Sequence, residues 1–178
     1  WIHSAAIRWA CTWIAMAAAA CAPLSPHPAK PSEAPPVAAA CPPALSAVAS
    51  CLAGQDSAGA YYLIAMPHQW NGHLVLHAHG GPALGAPRPE RSAADLERWA
   101  IMVKAGYAWA GSTFRQGGVE VRAAAEDTER LRQIFVGHVA QPRRTILHGQ
   151  SWGASVAARG AELFHSTPQG PPPCAAVL

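Results

Sequence analysis

Short apolar runs alternate with longer amphipathic segments from residue 61 to the end of the sequence. The runs combine β-branched, aromatic and small apolar residues and are bounded by turn signals, which is typical of buried strands. Pro67 and the Asn71-Gly72 pair, for example, separate the first two runs. The pattern therefore predicts strands over 61–66, 73–79, 107–112 and 144–148, with the start of another at 174–178.

The segments between these strands repeat apolar residues at helical spacing. One predicted helix begins at an N-cap, Ser92, with Asp95 three residues on, and ends at Gly106. Two more helices are predicted over 121–139 and 152–164. Strands and helices that alternate at this spacing form a parallel sheet with right-handed crossovers. The predicted fold class is α/β, a mostly parallel sheet with helices on both faces and its chemistry at the carboxyl ends of the strands.

The first 21 residues have the pattern of a secretory signal sequence. Arg8 precedes an apolar run over 9–20 that is too short and too rich in alanine to span a bilayer. Ala18-Ala19-Ala20-Cys21 is compatible with cleavage at a small residue or with lipoprotein processing, which would leave Cys21 as a lipidated N-terminus. We therefore expect an exported protein that is periplasmic, secreted or attached through Cys21 to a bacterial-type membrane.

Composition changes again after the signal. Residues 22–43 contain eight prolines among Ala and Ser, which predicts an extended tether, and a folded domain is expected over 44–178. Because export leads to an oxidising compartment, Cys41 and Cys51 are predicted to form a disulfide at the entrance of this domain.

Charge and ligand patterns exclude several classes of function. The formal net charge is +3 and the arginines are scattered through the predicted helices, so nucleic acid is not an expected partner. No C-x-x-C motif occurs. His77 and His79 share one face of a strand, but further ligands at matched spacing are lacking, so His77 is interpreted as a core histidine. We expect no metal site and no cofactor.

The motif with the most chemical content is Gly149-Gln150-Ser151-Trp152-Gly153. It follows a predicted strand and precedes a predicted helix, which is the context of a nucleophile elbow. In such a turn two backbone segments come so close that a β-carbon at 149 or 153 would clash, whereas Ser151 is pushed into the site.

A second motif, His79-Gly80-Gly81-Pro82, follows the strand over 73–79. Acyl transfer needs backbone N–H donors directed at the developing oxyanion. Pro82 has no N–H, so the donor is predicted to be Gly80 or Gly81, with Trp152 as the second donor. His79 is expected to hold this loop by hydrogen bonds.

Together, the two motifs resemble those of the α/β-hydrolase superfamily, and most of all its proline-iminopeptidase-like branch and neighbouring esterases. The resemblance covers roughly 60–178. It implies a serine hydrolase that forms an acyl-enzyme on Ser151 and acts on a small-molecule ester or a peptide. In this superfamily an Asp or Glu and then a His follow the serine in the chain.

Only Glu162 and His165 could follow Ser151 in those roles. On a helix they would lie about 16–21 Å from the hydroxyl, at about 1.5 Å per residue, which is too far for a triad. We therefore expect the sequence to be the front part of a longer hydrolase, cut after the elbow helix and without its acid and base. The alternative is a catalytically inactive exported relic or binding module of the same fold.

Overall fold

A computed structural model describes residues 32–117, 120–164 and the strand 174–177. The predicted signal sequence over 1–21, its Cys21 and the first part of the tether lie outside the described residues, and the predictions for them stay predictions.

The described chain consists of strands and helices in the order that the sequence predicts from residue 61 onward. The helices are α1 (Glu90–Arg98), α2 (Ala100–Lys104), α3 (Val121–His138) and α4 (Trp152–Phe164), with a short 3-10 turn at Pro43–Leu45. The strands are β1 (Val37–Ala39), β2 (Ala49–Gln55), β3 (Tyr61–Pro67), β4 (His73–Ala78), β5 (Ala108–Ser112), β6 (Arg144–Gly149) and β7 (Cys174–Val177).

All of these strands belong to one sheet in the order β1-β2-β3-β5-β4-β6-β7. β4 pairs in parallel with β5 and β6, and β6 pairs in parallel with β7. The pairs β1–β2, β2–β3 and β3–β5 are antiparallel. The sheet is therefore mixed, with its parallel half around β4 and β6 and an antiparallel half at the other edge.

The antiparallel half corrects the predicted tether. Val37–Ala39 pairs with β2, with Val37 opposite Ala53, so the folded sheet begins inside the segment 22–43. Sequence patterning missed both β1 and β2. β1 is a short stretch of a Pro- and Ala-rich segment, and β2 consists mostly of small residues and lacks a regular apolar alternation.

Alternate residues of the central strands face opposite helix layers, as the twofold period of a strand requires. Leu74 and Leu76 of β4 pack with α3 and α4, in a core that includes Leu131 and Phe135. Val75 packs in the second core with α1 and α2. The predicted α/β architecture with helices on both faces is confirmed.

The helix predicted to begin at Ser92 begins earlier and breaks once. Pro89 is the N-cap, and Ser92 lies buried in the first turn, so the predicted N-cap is wrong. Trp99 leaves the helical conformation and separates α1 from α2. Gly106 has φ +88° and its N–H donates to the Val103 carbonyl at 2.9 Å, which ends α2. Among the described residues, no helix is long and apolar enough to cross a membrane.

Cys41 and Cys51 form a disulfide. The bond joins the segment that follows β1 to β2, where Cys51 is also the ladder partner of Ala39. The edge strand is thus attached to the sheet by hydrogen bonds and by a covalent link.

We expect the double variant Cys41→Ala, Cys51→Ala to unfold at lower urea concentration than the oxidised protein. Closing a loop with a sequence separation of 10 limits the unfolded chain and contributes about 2–3 kcal/mol. Urea titration followed by tryptophan fluorescence measures the difference. With a reductant present, the two proteins should unfold at the same urea concentration. Equal midpoints without the reductant would contradict the prediction.

Candidate active site

Ser151 lies in the two-residue turn between β6 and α4. Its φ is +53°, a left-handed conformation that is uncommon for a residue other than glycine and that clusters at functional sites. The turn is fixed by backbone hydrogen bonds from Gly153 N–H to the Gln150 carbonyl at 2.8 Å and from Ala154 N–H to the Ser151 carbonyl at 2.9 Å. The Ser151 side chain is exposed. The turn therefore presents its hydroxyl at the carboxyl end of the sheet.

Both glycines of the motif lie where a side chain does not fit. A Cβ on Gly149 would overlap the carbonyl of Gly153. A Cβ on Gly153 would overlap the carbonyl oxygens of Ala78 and His79, at the end of β4. These are backbone atoms, which cannot move aside without shifting β4. Glycine at 149 and 153 lets α4 begin directly against the neighbouring strand.

The loop His79-Gly80-Gly81 borders the serine. A Cβ on Gly80 would lie 3.2 Å from the Gln150 carbonyl oxygen and 3.6 Å from Ser151 Cβ, so the two backbone segments nearly touch. Gly81 has φ +150°. Within the described chain, the N–H groups of Gly80, Gly81 and Trp152 donate to no acceptor.

His79 ties this loop to the end of β5. Its ring is fully buried, with Nδ1 2.7 Å from the Gly80 carbonyl oxygen and Nε2 3.3 Å from the Thr113 carbonyl oxygen. The ring also stacks on Phe114, with centroids 4.5 Å apart. Both nitrogens thus face backbone acceptors.

Arg91 of α1 is a second support of the loop, and sequence analysis missed it. Its guanidinium donates a hydrogen bond to the Gly80 carbonyl, and its Nε lies 3.9 Å from the Asp95 carboxylate. The peptide bond between Gly80 and Gly81 is trans, so a Gly80 carbonyl that points to Arg91 directs the N–H of Gly81 the opposite way.

A cleft of about 430 Å³ opens beside the serine. One wall is formed by the elbow and the glycine loop, and the other by four side chains of α1. The lining residues are Gly80, Gly81, Gln150, Ser151, Arg91, Ala94, Asp95 and Arg98. The α1 residues have the spacing of one helical face, beside the apolar face that includes Leu96. The spacing could have shown from the sequence that these four residues share one face of a helix. Only the tertiary structure shows that this face lies beside the serine.

Comparison with known proteins identifies the fold. No protein-family model and no curated protein matches the sequence. Esterase B from Lactobacillus rhamnosis is similar in structure, with 17% identity, a TM-score of 0.51, and coverage of 66% of this chain and 42% of that chain. A double mutant of the esterase E40 is similar as well, with 21% identity, a TM-score of 0.52, and coverage of 73% and 43%. The chain has an α/β-hydrolase fold. It spans about 42% of the length of Esterase B.

The predicted α/β-hydrolase fold is thereby confirmed, and the Gly149–Gly153 motif and the glycine loop lie at adjacent strand ends. β4 and β6 are neighbours in this hydrolase sheet, and their register sets Ala78 opposite Gly149. The two motifs therefore end at the same level, although about 70 residues separate them in the chain.

A pair of buried imidazoles lies beneath the elbow of the hydrolase fold. Nδ1 of His77 is 2.8 Å from Nδ1 of His148, so one ring donates and the other accepts. Burial, assisted by the neighbouring His148, lowers the pKa of His77 to about 3, and burial lowers the pKa of His148 as well. Nε2 of His77 lies 3.7 Å from the Asp95 carboxylate. Burial raises the pKa of Asp95. At neutral pH both imidazoles are uncharged.

The triad partners of a hydrolase are not assembled in the described part of the chain. There the Ser151 hydroxyl has no hydrogen-bond partner. Glu162 lies on α4 and pairs with Arg159 at 2.8 Å. His165 lies outside the described residues. Over 32–117, 120–164 and 174–177, no group of three His, Cys, Asp or Glu is placed to hold a metal ion.

We expect Gly153→Ala to destabilise the domain by about 3 kcal/mol, because its methyl group would overlap two carbonyl oxygens of the backbone. The matched control is Gly137→Ala, where the added Cβ meets nothing within 4 Å on the exposed last turn of α3. That variant should lose no stability and should gain at most about 1 kcal/mol from helix propensity. Urea unfolding measures both, and a loss in both variants, or in neither, would contradict the steric account.

We expect the free energy of unfolding to fall as pH falls from about 6.5 towards 3. These limits are the ordinary pKa of His77 and its pKa in the folded protein. The unfolded His77 binds a proton in this window and the folded one does not, so unfolding takes up a proton. The contribution approaches about 1.4 kcal/mol per pH unit. The slope of unfolding free energy against pH should be shallower by about that amount in His77→Gln. The exposed His68 provides the control, since His68→Gln should keep the wild-type slope; a wild-type slope in His77→Gln would exclude this origin.

Proposed function

We propose that this chain carries the nucleophile of a serine hydrolase that cleaves an ester or amide bond through an acyl-enzyme on Ser151. The observation that carries the proposal is the left-handed turn at Ser151, which contacts a loop whose Gly80 and Gly81 N–H groups have no acceptor in the described part of the chain. A left-handed conformation costs conformational energy for a serine, and such strained residues cluster at functional sites. At Ser151 this conformation exposes the hydroxyl to the cleft.

The reaction would proceed by attack of the Ser151 oxygen on the carbonyl carbon, with the hydroxyl proton passing to a general base. The bond to the leaving group then breaks, the leaving group takes up the proton, and water releases the acyl group from Ser151. Trp152 N–H is one proposed oxyanion donor. Gly81 is favoured over Gly80 as the second, because Arg91 binds the Gly80 carbonyl and the Gly81 N–H is directed away from it, with no acceptor among the described residues.

We propose that the base and its acid come from residues outside the described part of the chain. His77 and His148 are buried and bonded to each other, and both ring nitrogens of His79 face carbonyl oxygens. None of the three is free to accept a proton from Ser151. The chain also spans less than half of Esterase B. The names of Esterase B and of the esterase E40 favour an ester over an amide as the substrate.

We expect a fluorophosphonate probe to label Ser151 in the protein expressed from its complete coding sequence, and the label to disappear in Ser151→Ala. Ser155→Ala is the matched control, because this serine is exposed on α4, four residues away and outside the cleft lining. It should keep the label. Residues 1–178 alone should hydrolyse a 4-nitrophenyl ester no faster than the Ser151→Ala variant of the same residues.

Labelling that survives Ser151→Ala would remove the nucleophile from the proposal. A complete protein that is never labelled would favour the inactive relic or binding module instead. Turnover by residues 1–178 that depends on Ser151 would place the base within them and contradict the proposed origin of the base.

A further inference from the structure

Two arginines of α1 face the cleft that contains Ser151. Arg91 and Arg98 are seven residues apart, two turns of helix, and therefore lie on the same side of α1. Ala94 and Asp95 lie between them on the cleft wall. The small side chain of Ala94 leaves the space between the two guanidinium groups open to the cleft.

The two guanidinium groups differ in the contacts that they make within the protein. Arg91 donates to the Gly80 carbonyl and lies against the Asp95 carboxylate. Arg98 is exposed, and within the described chain it makes no hydrogen bond and no ion pair of 4.0 Å or less. Its donors are available to a molecule in the cleft.

The charge of this wall is positive. Asp95 is its one acidic residue, and burial raises the pKa of that carboxyl. Its carboxylate lies within 4.0 Å of Arg91 and His77 and acts on Arg98 only over a longer distance. A guanidinium presents paired N–H donors in a plane, which match the two oxygens of a carboxylate.

We propose that Arg98 binds a carboxylate of the substrate, so that the enzyme prefers esters whose acyl chain ends in a free carboxylate. This inference rests on the proposed function. Arg91 and Arg98 are separated by about 10 Å along the helix axis, at about 1.5 Å per residue, and Arg91 reaches the loop beside the serine. The carboxylate is therefore several bonds away from the scissile carbonyl.

The test compares mono-4-nitrophenyl adipate with its methyl-capped neutral ester, using the protein from the complete coding sequence. We expect a higher kcat/KM for the charged ester, and we expect Arg98→Gln to lower the charged-to-neutral ratio about tenfold. Arg144→Gln removes the same charge from the opposite end of β6 and should keep the wild-type ratio. Arg98→Glu should favour the neutral ester.

A second measurement does not depend on turnover. Monomethyl adipate is titrated against the Ser151→Ala protein, and binding is followed by ligand-observed NMR. The additional change Arg98→Gln should weaken binding about tenfold, and Arg144→Gln should not.

The outcomes separate the two proposals. Suppose that hydrolysis depends on Ser151, but Arg98→Gln changes neither the charged-to-neutral ratio of kcat/KM nor the binding of monomethyl adipate. This result overturns the carboxylate site and leaves the proposed hydrolase function intact. Absence of Ser151-dependent hydrolysis overturns the proposed function, and the NMR titration still decides whether Arg98 binds a carboxylate. If Arg98 pairs with an acid of the protein itself, monomethyl adipate does not bind, and the carboxylate site is overturned.

Discussion

The arrangement of the site depends on one backbone contact, between the start of α4 and the end of β4. Gly153 lies directly against the carbonyl groups of Ala78 and His79, and Gln150 N–H donates to the Ala78 carbonyl at 3.2 Å. The parallel register of β4 and β6 brings Ala78 opposite Gly149, so both strands end at the same level. The serine turn and the glycine loop meet because these two strands are neighbours, and any residue with a Cβ at the contact would separate them.

The same strands place two imidazoles where apolar side chains would be expected. His77 and His148 are direct ladder partners, so their side chains point to the same face of the sheet and reach each other. The Nδ1 atoms of the two rings are hydrogen-bonded to each other. Nε2 of each ring has no hydrogen-bond partner in the described structure. Neutral imidazoles tolerate this burial, and charged ones would not, because a buried charge needs a counter-charge and full hydrogen bonding. The two imidazoles under the Ser151 turn are therefore polar groups that carry no charge at neutral pH.

How far the sequence could predict this structure depended on the kind of signal. Strands β3 to β6 and helices α3 and α4 could be predicted because their apolar residues recur with a strong periodicity. Helix α4 has the predicted bounds, Trp152–Phe164. The elbow and the glycine loop were recognisable because their glycines have a steric reason that can be stated without coordinates. β2 lacks such a pattern. The role of Arg91 depends on a contact between residues of different elements, which no local pattern carries.

The N-cap at Ser92 shows how one local rule can displace another. Ser92 and Asp95 have the spacing of a capping pair, but the structure starts the helix after Pro89 and buries both residues. That shift moves Asp95 from a helix end to the cleft wall, beside Arg91. A residue assigned to capping from sequence thus belongs to the electrostatics of the site.

Those electrostatics act on the Gly81 N–H, the proposed oxyanion donor, through a peptide group. The Arg91 guanidinium binds the Gly80 carbonyl, and His79 Nδ1 lies 2.7 Å from the same oxygen. Donors at a carbonyl oxygen draw electron density from the whole peptide group, and hydrogen bonds in such a chain strengthen one another. The N–H at the other end of that peptide belongs to Gly81, which thereby becomes a stronger donor. The cation on α1 would in this way stabilise an oxyanion that it does not touch.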